Sequence, residues 1–225
     1  MGKITINHYL NKAIKPKIEG NKELYPLYIQ VIVNRTNYRF KSNFPFNDGY
    51  LRESDLKQDF VINSIEHEKR SIENIVNYFI ESNKNQLIAA TYIKKCSENL
   101  WSVLNENFGV LFEKESQVLD YDYPSALISR DFYDINEILI FTESEIDSKF
   151  SEEYQNCKIG VNSVYRGLLL PEFKELGLLE LTVFDFLHGN GYNLVLKAIK
   201  QNYLISSSES EIEYQQVMKQ IEKLI

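Results

Sequence analysis

A chain of 225 residues with a 44% apolar fraction is long enough for one large domain or two smaller ones, each with a core of its own. Its net charge of −7 excludes a protein that is basic throughout. No apolar run reaches the roughly 18 residues of a membrane helix, so no membrane span is expected. The opening MGKITINHYL lacks the apolar region of a signal peptide. Cys96 and Cys157 lie far apart in no metal-ligand spacing and read as small buried hydrophobes in a reducing cytoplasm.

Residues 3–10 alternate, with Ile4, Ile6, His8 and Leu10 on one side and Lys3, Thr5, Asn7 and Tyr9 on the other, which predicts a first strand. Residues 11–23 are polar, contain Pro16 and Gly20, and read as a long loop. Residues 24–42, LYPLYIQVIVNRTNYRFKS, carry the strongest strand pattern in the chain. Leu27, Ile29, Val31 and Val33 alternate with Tyr28, Gln30 and Ile32. The NRTN stretch at 34–37 breaks the run, because Asn tolerates the left-handed backbone of a tight turn. The chain returns with Tyr38 and Phe40 on one face and Arg39 and Lys41 on the other. Three short antiparallel strands result, and so small a sheet needs a helix across one face.

Residues 44–56 are turn-rich. From 59 to 81 the period becomes helical, with Val61, Ile62, Ile65, Ile72, Ile75, Val76, Phe79 and Ile80 on one stripe. A second helix is expected over 83–107, ended by Gly109. Residues 110–112 fit either a short strand or a helix end, and 121–124 fit a loop before proline. Helices are expected over 135–150, 151–170, 178–187 and 192–203. Ser208 and Glu211 fit a capping box opening a last helix to 225. The expected fold class is α+β, a small N-terminal three-stranded antiparallel sheet followed by a mostly helical region. The expected domains are 1–58, 59–205 and, after a Ser-rich linker, 206–225.

Charge is unevenly spread. Residues 1–43 hold eight cations against Glu19 and Glu23, a balance of +6, which leaves −13 for the remainder of a −7 chain. A basic head on an acidic body points to a polyanion partner for the head.

The strand KITINHYL, the lysine-rich loop and YPLYIQVIVNRTNYRFKSNFPF together resemble the arm-type DNA-binding domain at the N-terminus of tyrosine recombinases (integrases) of phages and conjugative transposons. Pro26, Tyr28, Gln30, Val33, Asn34 and the Arg39/Lys41 pair carry the likeness over about the first 45 residues. Arg35 stands where that family often has Gly, and Gln30 where it often has Arg. The resemblance implies a small sheet docked in the major groove with a helix behind it. Arg39 is then the candidate for a base edge or a phosphate. Lys3, Arg35 and Lys41 are positioning contacts, and Lys12, Lys15 and Lys17 follow the backbone from the loop.

The catalytic half of that family is missing. His67 and Arg70 have a His-x-x-Arg spacing, but directly after the sheet on an amphipathic helix, with no room upstream for a catalytic arginine. The HGNG at 188–191 lacks the strand and the Lys-Ser or Lys-Thr of a phosphate loop. The helices flanking it outline a helix-turn-helix, yet Leu194, Val195, Leu196 and Ile199 suit packing better. Three scattered histidines offer no triad. The expectation is a non-catalytic, cytoplasmic, integrase-like DNA-binding protein of mobile-element origin, with no cofactor and no metal. Duplex DNA is its expected partner, and the helical region is free for a protein partner or self-association. The alternative is a protein-interaction module that keeps the sheet without binding DNA.

Overall fold

The computed structural model describes residues 4–44, 46–82, 88–118, 150–169, 181–202 and 210–225. They form two compact units, Met1–Glu98 and Asn99–Ile225. The division falls at residue 98 and not at 58, because the helices that follow the sheet share its core.

The first unit is built on one strand. β3 (Lys22–Val33) is twelve residues long and pairs with every other strand of the sheet. β2 (Lys17–Glu19) is antiparallel to residues 22–24, and β5 (Tyr50–Leu51) to residues 25–26. β1 (Thr5–Leu10) and β4 (Thr36–Lys41) flank its C-terminal half on opposite sides. The sheet therefore has five strands instead of three. β2 lies inside the segment expected as loop: Lys17, Ile18 and Glu19 are all exposed, so no alternation of apolar residues marks them. The β3–β4 turn is also tighter than expected. Only Asn34 and Arg35 lie in it, with φ of 50° and 66°, the two left-handed residues of a type I′ hairpin.

Period-2 register sorts the side chains. Ile6, Ile29, Val31, Val33, Tyr38 and Phe40 point to one side and are buried against Ile72 and Val76 of α1 (Asp59–Ser82) and Ile93 of α2 (Ala90–Ser97). A polar knot ties the helix to the sheet within this layer. The Glu68 carboxylate, 11% exposed, lies 2.9 Å from His8 Nε2 and accepts from Ser42 Oγ at 2.5 Å and from the Asn43 N–H at 2.7 Å. A carboxylate taken out of water needs these partners.

The second unit is helical among its described residues: α3 (Leu100–Val118), α4 (Glu152–Leu169), α5 (Val183–His188), α6 (Gly191–Asn202) and α7 (Ser210–Leu224). Its core joins Leu104, Phe108, Phe112, Phe150, Tyr154, Val161, Val195, Ile199, Val217 and Ile221. Two boundaries are corrected. The helix expected over 83–107 is interrupted at Glu98, and Asn99 restarts it by accepting from the Ser102 N–H at 3.0 Å. Gly109 does not end that helix; it is a buried residue of α3, which continues through residues 110–112, with Val110 exposed and Phe112 buried. α5 begins at Val183 because Thr182 and Asp185 form a reciprocal capping box. Residues 135–149 of the helix expected over 135–150, the loop at 121–124 and Ser208 lie outside the described residues.

Glycine has a packing role in this unit. A Cβ on Gly160 would stand 2.7 Å from Ile221 Cδ1 and 3.0 Å from Val217 Cγ1. α4 and α7 approach closely because that Cβ is absent. The α5–α6 pair that outlined a helix-turn-helix is a packing device, with Val195, Ala198 and Ile199 fully buried.

Candidate nucleic-acid interface

The register that buries one side of the sheet opens the other. Three cross-strand rows face outward: Thr5–Ile32–Asn37, Asn7–Gln30–Arg39 and Tyr9–Tyr28–Lys41. Asn7, Asn37 and Arg39 are exposed and the rest are half-buried. None of these nine positions is acidic. Two are cationic, and the one apolar aliphatic side chain among them is Ile32.

Neighbouring groups shape this face. Tyr9 and Tyr28 have ring centroids 6.2 Å apart. β5 adds Tyr50 beside Pro26, and the Lys41 ammonium sits 5.2 Å over the Tyr50 ring, which holds the cation at a fixed place without neutralising it. The Gln30 side-chain amide donates to Asn37 Oδ1 at 3.2 Å.

The expected site residues separate into three groups. Arg39 and Lys41 share the open face. Arg35 is exposed at the hairpin tip and Lys15 in the β1–β2 loop, and neither has a carboxylate partner among the described residues. Lys12 and Lys17, in contrast, are engaged. Lys12 pairs with Glu53, which holds its ammonium above the ordinary range and the Glu53 carboxyl below it. Lys17 lies 3.5 Å from Asp48, and Arg52 answers Glu19 at 3.6 Å, so the loop is electrostatically closed by the 48–53 segment. Exposed pairs of this kind add little to stability, because solvent screens them. They nevertheless lower the local positive potential that a phosphate would meet. Lys3 lies outside the described residues.

Asn7, Gln30, Tyr28 and Tyr50 belong to this face although charge alone does not single them out. The period-2 pattern places Asn7 and Gln30 there, whereas Tyr50 arrives through a two-residue strand with no pattern of its own. His67 and Arg70 are both exposed on α1, and Arg70 Nε donates to the Glu66 carbonyl one turn earlier. No protein-family model, curated protein or solved structure matches this chain. Among the described residues no helix is long and apolar enough to cross a membrane.

Proposed function

We propose that this protein is a non-catalytic, cytoplasmic DNA-binding protein of integrase-like, mobile-element origin, whose N-terminal sheet lies against duplex DNA. One observation carries this reading: the open side of the β1–β3–β4 sheet holds Arg39 and Lys41 and no carboxylate at any of its nine positions. Strands about 4.8 Å apart make the three-strand face roughly 10 Å across, a fit to a major groove about 12 Å wide. Cations on such a face displace counterions from phosphates, so affinity falls with salt. On the face and at its hairpin tip Arg35, Arg39 and Lys41 supply three positive groups, and about 0.9 counterion per contact gives a log–log salt slope of about −3. The acidic remainder of the chain repels the duplex and keeps affinity low.

Fluorescence anisotropy of a labelled duplex over a salt series tests this. The expected result is the slope above and loss of binding when Arg39 and Lys41 are both changed to Glu. Salt-independent binding, or an unchanged double variant, overturns it.

A second reading, a protein-interaction module, is favoured by Phe46 and Phe60. Their rings meet edge-on at 5.3 Å while the residues stay 55% and 47% exposed. Under that reading DNA binding is absent, and changing both to Ser abolishes association with a protein partner or a second copy.

A further inference from the structure

The middle row of the open face contains three side chains that differ from a generic cationic surface. Asn7, Gln30 and Arg39 are direct cross-strand neighbours, each on a different strand, on the side away from the helices. Side chains so placed stand within about 5 Å of the next in line. Amide and guanidinium groups are the ones whose paired hydrogen-bonding atoms match purine edges in the major groove.

Gln30 is also oriented. One of its two amide N–H bonds goes to Asn37 Oδ1, leaving Oε1 and the second N–H for an external partner. An acceptor beside a donor is the complement of adenine, whose N6 amino group donates and whose N7 accepts. Arg39 is exposed and has no carboxylate to hold it among the described residues, so its fork is available to guanine O6 and N7. The row beside it, with Lys41 poised over Tyr50, supplies a fixed charge next to these two side chains.

Resting on the DNA-binding reading, we propose that the Asn7–Gln30–Arg39 row determines sequence specificity. Gln30 reads an adenine, Arg39 reads a guanine close by, and Asn37 positions Gln30 without touching the base. Asn7 reads the flank of the same site.

Selection from a pool of randomised duplexes, with the whole chain and single variants, tests the assignment. The wild-type chain is expected to enrich a short site containing both purines. Gln30→Ala relaxes the adenine position alone, by roughly five- to hundredfold in relative affinity for one bidentate contact. The salt slope stays that of the wild type, because no charge is removed. Arg39→Lys keeps the charge and relaxes the guanine position. Asn37→Ala weakens the adenine preference less than Gln30→Ala does. Thermal melts of each variant that match the wild type confirm that the sheet persists. If the wild type enriches nothing while still binding DNA, or if Gln30→Ala and Arg39→Lys select the wild-type sequence, the row is not a reader and the DNA-binding reading survives. If no duplex is bound in the same assay, both fall.

Discussion

Arg35 occupies the second position of the β3–β4 turn at a φ of 66°, where a Cβ is strained and glycine is at ease. Asn-Gly is the usual pair for such a turn, so an arginine here costs stability. Arg35→Gly is expected to stabilise the first unit by about 0.5–1 kcal/mol, seen as a higher melting temperature. The same change should make the salt slope of DNA binding shallower by about 1, because one phosphate contact is lost. Opposite signs in the two measurements would mark a residue kept for contact and not for folding. Lys12 gives the converse test. Glu53 already holds it, so Lys12→Ala should alter DNA affinity far less than Arg39→Ala in the same titration.

Burial pushes the Cys157 thiol up to about 12 from its ordinary 9.0. The folded state keeps a proton that the unfolded chain releases, so this contribution is intact below about pH 9 and is lost as pH rises towards 12. Cys157→Val should flatten the decline in denaturant midpoint between pH 9 and 11 relative to the wild type.

At the scale of the element, the Glu68 knot decides how α1 sits on the sheet. Glu68→Ala strips the acceptor from Ser42 and from the Asn43 N–H and leaves His8 without its carboxylate. A loss of about 1–3 kcal/mol in urea unfolding is expected. Gly160 serves α4 and α7 in another way. Gly160→Ala gains helix propensity yet drives a methyl group into Ile221 and Val217, and a net loss of about 1–3 kcal/mol is expected. Elements were legible in the sequence where burial is one-sided and the period is sustained. Residues 27–33 of β3 and the stripe of α1 meet that condition, whereas Lys22 and Glu23, exposed at the start of β3, fall in the segment expected as loop. β2 and β5 do not, since three exposed residues and a two-residue strand have no repeat to detect. Gly109 misled because a glycine buried in a helix looks the same as one that stops it. The restart of α3 at Asn99 and of α5 at Thr182 was written in NLWS and TVFD, but apolar neighbours on both sides obscured the caps.

At the scale of the whole molecule, the outward placement of Arg39 and Lys41 followed from alternation alone. The engagement of Lys12 and Lys17 did not, because Glu53 and Asp48 lie 41 and 31 residues away along the chain. Long-range pairing between exposed charges leaves no local signature. The two units can be followed separately in solution, since each contains one buried thiol: Cys96 in the first and Cys157 in the second. Neither is expected to react with an aromatic disulfide reagent in the native chain at pH 8. In rising urea the two should become reactive at different concentrations if the units open independently.

β3 is the partner of β1, β2, β4 and β5, and none of those four pairs with another. Its backbone amides between residues 27 and 33 are enclosed from both sides, while those of β1 and β4 have one open flank. In deuterated water the centre of β3 should therefore hold its protons longest within the first unit. Loosening β1 or β4 should expose that strand's amides together with the alternate β3 amides that donate to it, whereas release of β3 should exchange the whole sheet at once.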